Sequence, residues 1–369
     1  IKVYAMTRQS LLVGLLKFTA IMKRKTEEIR RLILERIDDI GRVSQTEVAK
    51  TFGITRQAVF KNLKELVRNG VVQKTESEVH PYSLVPLKES HVTVPIGHET
   101  QEDQIWKESV APLLADQKMN VRGICQYGFT EIFNNVIDHS GSQTADVRIT
   151  TDALVVRMVI QDYGVGIWKK LQQAFQLDDP RHALLELTKG KLTTDPKRHT
   201  GEGIFFTSRM FDKFILASDK LTFCRFHEGN EWLFDVKEEE AGPGTRVTMV
   251  LYLDSNKTTK EVFDTFTADL DDFGFTRTHL SVQLAKYEGD HLVSRSQAKR
   301  ILNRLEKFRE VYLDFKDVTE IGQAFADEIF RVFANDHPSV KFVPVNVTPD
   351  VSKMIQRARS HQGQIELPM

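Results

Sequence analysis

The hydrophobic positions at the start of the chain recur with a helical period and predict a small helical module. From Lys23 to Ile40, apolar residues return every three or four positions, which gives a helix one buried face. Two shorter helices, Thr46–Phe52 and Arg56–Asn69, are each preceded by a hydroxyl residue that can cap them. Residues 71–84 then alternate between apolar and polar positions, as a β-ribbon does. Three helices followed by a ribbon predict a winged helix-turn-helix.

The middle of the chain, up to about residue 255, mixes both periods and predicts a sheet covered by helices. Two long helices are expected first, from about Glu99 to Asp116 and from Val121 to Ser140. Strands are expected near Ala145–Thr150 and Leu154–Gln161. A helix, Ile204–Phe214, and three further strands, Leu221–Phe226, Trp232–Val236 and Thr245–Leu253, complete the set.

The remaining residues alternate amphipathic helices with short β-prone runs, which predicts a small α/β domain. Helices are expected at Thr259–Phe273, Ser296–Phe308, Ile321–Ala334 and Asp350–Ala358, and strands at Leu280–Leu284, Val311–Phe315 and Val340–Val345. The expected organisation is an N-terminal extension (1–21), a winged helix (22–86), a linker (87–104), a middle domain (105–255) and a last domain (256–369). The fold class is therefore multidomain α+β.

Composition agrees with a globular protein and hides a local excess of positive charge. The 369 residues are 41% hydrophobic and 28% charged, which excludes disordered, collagen-like and coiled-coil chains. The 51 Lys and Arg balance 51 Asp and Glu, so a uniformly cationic coat for nucleic acid is excluded. Residues 22–74 alone carry 13 basic against 7 acidic side chains. This excess is compatible with phosphate contacts.

The third helix of the module carries the candidate DNA-reading residues. The stretch from Val48 to Val59, which leads from the second helix into the third, resembles the turn region of many bacterial repressors. Arg56, Gln57, Lys61 and Lys64 fall on the exposed face, where base edges and phosphates of double-stranded DNA would be met. The alternative is a winged helix used for protein contacts or dimerisation.

Cysteine usage and hydropathy predict a cytoplasmic protein without membrane contact. The chain has two cysteines, Cys125 and Cys224, without metal-ligand spacing, as expected in a reducing compartment. The apolar stretch Leu11–Met22 contains Lys17 and is too short to span a bilayer.

The strongest chemical signal in the middle domain is a polar stripe on its second helix. Glu131, Asn135 and His139 are four residues apart and project from one face. A carboxylate can orient and deprotonate water, and an amide oxygen can ligate Mg²⁺. Such a stripe is also compatible with a hydrated surface.

Two later segments add the features of a nucleotide site. Asp162 ends a strand and can accept a hydrogen bond from an exocyclic adenine amine, while Gly164 and Gly166 allow a tight turn beside it. A basic, glycine-bearing loop then opens into a helix whose N-terminus suits phosphate. The loop is not a Walker A motif, and its candidate contacts are Lys191, His199, Thr200, Gly201 and Gly203.

In this order and spacing, the motifs resemble those of the GHKL ATPase superfamily, with its Bergerat α/β sandwich. The resemblance implies ATP and Mg²⁺ as ligands, Glu131 as general base, Asn135 as metal ligand and Asp162 as adenine reader. It also implies that Gly201 and Gly203 hold phosphates under a lid at about 187–200, and that Thr245 lies behind the adenine. His199 stands where the family often has a third glycine. Within the superfamily, the chain is most similar to the anti-sigma-factor serine kinases.

The last domain supports that comparison. Leu313–Ile321 followed by a helix resembles the STAS fold of anti-anti-sigma factors, which these kinases phosphorylate on a serine at the start of that helix. Residues 321–325 carry no hydroxyl here, and Thr319 is the nearby substitute. The domain is therefore expected to be a fixed docking or regulatory partner of the ATPase domain. The alternative is a generic α/β oligomerisation domain.

These features together predict an ATP-binding and ATP-hydrolysing bacterial transcriptional regulator, active as a homodimer, whose nucleotide state changes its operator affinity. Two alternatives remain open: a protein serine/threonine kinase of the anti-sigma type, and an ATPase effector triggered by DNA, for example in phage defence.

Overall fold

A computed structural model describes residues 8–177, 179–193, 200–226, 230–237, 241–267, 274–286 and 291–360, with the backbone alone for 8–23. The helices are α1 Arg8–Ile40, α2 Gln45–Phe52, α3 Arg56–Arg68, α4 Glu102–Ile105, α5 Met119–Asn135, α6 Ile167–Phe175, α7 Pro180–Lys189, α8 Gly203–Met210, α9 Thr259–Thr265, α10 Arg295–Leu302, α11 Gln323–Asp327, α12 Ala334–Asp336 and α13 Pro349–Ser360. The strands are β1 Val72–Lys74, β2 Tyr82–Leu84, β3 Lys88–Pro95, β4 Thr144–Thr151, β5 Val155–Asp162, β6 Lys213–Ser218, β7 Leu221–Phe226, β8 Glu231–Asp235, β9 Thr245–Tyr252, β10 Arg277–Ser281, β11 Glu310–Asp314 and β12 Lys341–Val345. Wider π-helical turns occupy Trp106–Val110, Val136–Ser140 and Glu328–Phe333, and 3₁₀ turns occupy Ala111–Leu114, Val282–Ala285 and Leu305–Lys307.

The chain divides into two compact units. The first contains residues 1–89 with 150–156, and the second contains residues 90–149 with the chain from 157 onward. Within the second unit we call residues 90–149 and 157–255 the central domain, and residues 256–360 the C-terminal domain.

The first unit is a winged helix, as the sequence predicted. The Ser44 side chain accepts a hydrogen bond from the amide of Glu47 at the start of α2, and Thr55 accepts from the amide of Ala58 at the start of α3. Strands β1 and β2 pair antiparallel as the wing. The core is apolar and comes from all three helices and the first strand: Ile33, Ile37, Val48, Val59, Leu63, Leu66 and Val72 are buried.

The central domain is built on one sheet of seven strands, in the order β3-β4-β5-β9-β6-β7-β8. Strand β6 pairs antiparallel with both β9 and β7, and β7 pairs antiparallel with β8. Helices α5 and α8 contact each other, and α5 also contacts β9. Phe129 and Phe133 of α5 are buried together with Phe214, Leu216 and Met249 of the sheet.

The C-terminal domain has a parallel sheet of three strands in the order β10-β11-β12. Helices α10, α11 and α13 contact one another or the π-helical turn Glu328–Phe333. The alternation of helices and strands predicted from the sequence is confirmed in the part of this domain that the structure describes.

Some boundaries differ from the prediction. The first helix begins at Arg8 rather than Lys23. The stretch 87–104, predicted as a linker, contains strand β3, whose residues alternate between half-buried and exposed, as on a sheet edge. The helix predicted to reach Phe214 ends at Met210, and β6 follows, because a short apolar run fits a strand as well as a helix. Helices α6 and α7 were not predicted.

Candidate functional site

A cavity of about 320 Å³ opens in the central domain, within the size range of small-molecule sites. Residues of α5, the following π-turn, β5, α6, α7, α8, β6 and β9 line it. Among the lining residues are most of those singled out from the sequence: Glu131, Asn135, His139, Asp162, Gly166, Thr200, Gly201, Gly203 and Thr245. Segments far apart in the sequence therefore meet at one cavity.

The stripe on α5 reaches the cavity with all three of its residues. Glu131 and Asn135 lie on the α-helix, whereas His139 lies on the π-helical turn Val136–Ser140. Four residues of an α-helix advance slightly more than one turn. Four residues of the wider π-turn advance less than one turn. The rotation from Glu131 to Asn135 about the helix axis and the rotation from Asn135 to His139 therefore deviate from a full turn in opposite directions, and His139 stays on the same side. Such π-turns occur frequently at functional sites.

Asp162 ends β5 and is buried at the cavity wall. Its Oδ1 accepts a hydrogen bond from the amide of Gly164 at 2.9 Å. Burial raises the pKa of Asp162, and hydrogen bonds from Gly164 and Thr245 offset part of that increase. Gly244 allows the close approach, because a Cβ there would overlap the carbonyl of Asp162. The result is a desolvated acceptor in which one oxygen is already fixed by the protein.

The N-terminus of α8 lies directly against Glu131. A Cβ at Gly203 would overlap Oε2 of Glu131 and would stand 3.0 Å from its Cδ. Nearby, burial and the charges of Glu131 and Glu202 raise the pKa of Tyr127, and burial raises the pKa of Glu202. A carboxylate, an amide side chain and a helix N-terminus thus line the same cavity.

Lys170 of α6 also lines the cavity and was missed from the sequence. Its Nζ donates to the carbonyl of His139 at 2.7 Å, and burial lowers the pKa of this lysine. Of the described lining residues, it is the one Lys or Arg. A lysine eight positions after Asp162 gives no local signal, because its place depends on how α6 packs.

Three of the predicted nucleotide-binding residues are not among the residues that line the cavity. Gly164 does not line the cavity, and a Cβ there would overlap the carbonyl of Ser140. Lys191 does not line it either, since its Nζ donates to the carbonyl of Lys307 at 3.1 Å and lies 4.8 Å from the centre of the Phe308 ring. His199 falls outside the described residues.

No cluster of three or more His, Cys, Asp or Glu suited to a metal ion occurs in the described part of the chain. Asn135 at the cavity is the predicted Mg²⁺ ligand. Mg²⁺ typically keeps several waters and phosphate oxygens and needs only one or two protein ligands. A dense acidic cluster is therefore not required for that assignment.

The predicted DNA-reading residues Arg56, Gln57, Lys61 and Lys64 are all exposed on α3, opposite its buried face. Other cations of the winged helix are paired within it: Arg30 with Glu65, Arg31 with Glu35 and Arg36 with Glu47. The cations left without an acidic partner among the described residues include Arg56, Lys61 and Lys64 of α3. Part of the basic excess found in the sequence is thus presented by this helix.

Family models match two parts of the chain. Residues 30–80 match the MarR family, and residues 297–352 match a STAS-like domain of unknown function (DUF4325). The winged helix-turn-helix and the STAS-like domain predicted from the sequence are thus confirmed, whereas the similarity of the first to the MarR family was not predicted. The expectation for the middle domain stays a prediction.

Two further comparisons add little. No curated protein matches the chain. A solved structure of an IcIR transcriptional regulator from Alicyclobacillus acidocaldarius matches with 14% identity and a TM-score of 0.19, over 64% of this chain and 91% of that one. A TM-score this low carries no argument about fold or function. In the described part of the chain, no helix has the length and apolar character needed to cross a bilayer.

Proposed function

We propose that this protein is a DNA-binding transcriptional regulator whose central domain is a GHKL-type module that binds and hydrolyses ATP. The observation that carries the proposal is the cavity, because residues from four separate motifs of the sequence line it together. The MarR-family winged helix supplies the DNA-binding part. Binding as a homodimer, as regulators of this kind do at paired half-sites, is part of the proposal.

The described residues suit a purine nucleotide. Leu216, Val247 and Ile160 give the cavity apolar walls, as a flat base requires. Asp162 is a buried acceptor that an exocyclic amine would satisfy, and burial increases the value of such a hydrogen bond. Gly201 and Gly203 bring backbone amides to the cavity, where they can bind phosphate oxygens.

Hydrolysis needs a base beside the phosphates, and Glu131 would be that base. Its carboxylate touches the first residue of α8, so a water held between Glu131 and the phosphate site can lose its proton to the carboxylate. Asn135, one turn further along α5, would hold Mg²⁺ without neutralising it. Mg²⁺ would reduce the charge on the phosphate oxygens.

Titration of the protein with a fluorescent, non-hydrolysable ATP analogue and Mg²⁺ tests nucleotide binding. Asp162→Asn should lower the affinity at least tenfold, since a hydrogen bond to a charged group contributes about 1.5–3 kcal/mol. The matched control is Asp264→Asn, an exposed aspartate on α9 paired with Lys260. Equal affinities in wild type and Asp162→Asn would contradict the assignment of Asp162, and absence of binding in wild type would contradict the proposal.

Turnover assays separate hydrolysis from kinase activity. Release of inorganic phosphate that stops in Glu131→Ala supports hydrolysis by the predicted base. Transfer of the label to a protein would favour the serine/threonine kinase alternative. Full hydrolysis by Glu131→Ala would contradict the proposed mechanism.

The DNA part is tested by the salt dependence of binding to a duplex. Replacing Lys61 and Lys64 with Gln should reduce the slope of log K against log salt by about 0.9 for each lost phosphate contact. Arg24→Gln removes a charge that is exposed and paired with Glu28 on α1, and serves as the control. An unchanged slope in the double variant, equal to that of the control, would contradict the role of α3.

A further inference from the structure

One wall of the cavity is held by the C-terminal domain. Leu187, Leu192 and Thr193 line the cavity, and they belong to the segment that ends α7 and follows it. Side chains and backbone atoms between Glu186 and Leu192 contact α10, the 3₁₀ turn Leu305–Lys307 and β10, all in the C-terminal domain.

Lys189 makes the central contact. Its side chain is 1% exposed, and Nζ donates to Oε1 of Glu186 at 2.6 Å and to the carbonyls of Arg300 and Asn303 at 3.0 and 2.7 Å. All three donors of the ammonium group are thereby used. The hydroxyl of Thr278, which is fully buried, donates to the carbonyl of Lys189 at 2.7 Å. Both the side chain and the backbone of this residue are fixed by the C-terminal domain.

The neighbours of Lys189 are fixed in the same way. Arg304 donates to the carbonyl of Lys191 and lies 3.5 Å from the carboxylate of Glu186. Gly190 adopts a φ of +82°, and a Cβ there would press into the ring of Phe275. None of these C-terminal residues lines the cavity, yet they bond to Lys189 and Lys191, which stand between the lining residues Leu187 and Leu192.

We propose that the C-terminal domain regulates the nucleotide site by positioning this wall, with Lys189 as the positioning residue. The inference rests on the proposed function, since it concerns the same cavity. A nucleotide that needs Leu187 and Leu192 in place binds best while the C-terminal domain is docked. By linkage, the bound nucleotide stabilises the docking by the same factor.

The test weakens the docking from the C-terminal side and measures nucleotide affinity. Arg304→Ala and Thr278→Val should each raise the dissociation constant of a non-hydrolysable ATP analogue about three- to tenfold, whereas Thr278→Ser keeps the hydroxyl and should restore it. Lys299→Ala on α10 removes an exposed cation paired with Glu328 and should leave the affinity unchanged. Circular dichroism confirms that each variant is folded.

Hydrogen exchange in wild type tests the reverse direction without any substitution. Addition of the analogue should slow amide exchange in residues 300–307 as well as in the cavity segments. The inference would be overturned if the folded Arg304→Ala and Thr278→Val variants bound the analogue as tightly as wild type. It would also be overturned if the analogue did not change amide exchange in residues 300–307. In both cases, binding of the analogue by wild type would still support the proposed function. Absence of nucleotide binding in wild type would overturn both.

Discussion

Glu231, the first residue of β8, pairs with the buried Arg209 and the half-buried Arg225, and its neutralisation should strongly destabilise the second unit. Its carboxylate lies 3.4 Å from Nε of Arg225 and 3.9 Å from Nη2 of Arg209, and both Glu231 and Arg209 are only 5% exposed. Burial raises the pKa of Glu231 and lowers the pKa of Arg209 to about 9. Since burial disfavours the charged form of both groups, each charge is stabilised mainly by its oppositely charged partners.

The distances set the size of the effect. With an effective dielectric constant of about 20, the two contacts correspond to roughly 5 and 4 kcal/mol of attraction, most of which offsets the cost of desolvation. Glu231→Gln keeps the shape and removes the attraction, so two guanidinium groups face each other without a counter-ion. Breaking a buried pair in this way typically costs about 3–5 kcal/mol. A domain of this size should then melt about 6–20 °C lower.

Tryptophan fluorescence during thermal unfolding measures this effect selectively. All three tryptophans, at positions 106, 168 and 232, belong to the second unit, so the signal does not report on the winged helix. The control is Glu320→Gln, a 65% exposed glutamate near His291, which should change stability by less than about 1 kcal/mol. If Glu231→Gln melted at the temperature of Glu320→Gln, the argument that Glu231 is an obligatory counter-ion would be refuted.

Three further predictions concern the site and the winged helix. Gly203→Ala places a methyl group where the Glu131 carboxylate lies, so kcat for phosphate release should fall at least tenfold while KM changes less; steady-state kinetics check this, and an unchanged kcat would contradict it. Because burial raises the pKa of Asp162, lowering the pH should protonate it and weaken nucleotide binding with a midpoint above the ordinary value of 3.8; Asp162→Asn should lack this step in binding measured across pH. Thr55→Ala removes the cap of α3 and should destabilise that helix by about 1 kcal/mol, seen as faster amide exchange than in Thr55→Ser.

Features that depend on neighbouring residues were predictable. The caps at Ser44 and Thr55 follow from a hydroxyl residue placed before an amphipathic run, and the structure has both. The register of Glu131 and Asn135 follows from the period of a helix, and both side chains reach the cavity. The placement of Asp162 at a strand end likewise follows from the apolar run before it.

Features that depend on distant contacts were not predictable. Strand β3 is polar and becomes a strand because β4 offers a sheet edge to pair with. The position of Lys191 in a basic loop predicts a phosphate ligand, yet its ammonium group donates a hydrogen bond to a carbonyl of the C-terminal domain. Lys170 reaches the cavity because α6 packs beside it.

The sequence by itself determined the winged helix, the STAS-like domain and their order, and most of the site residues that it singled out do line the cavity. Periodicity, caps and motif spacing are local properties, because they depend only on residues that are close together in the chain. Only the tertiary structure decided that the STAS-like domain fixes one wall of that cavity through the buried Lys189. A lysine at the end of a helix looks like a solvated charge in sequence. It becomes a positioning residue because residues about 110 positions further along the chain supply the carbonyls that replace water around it.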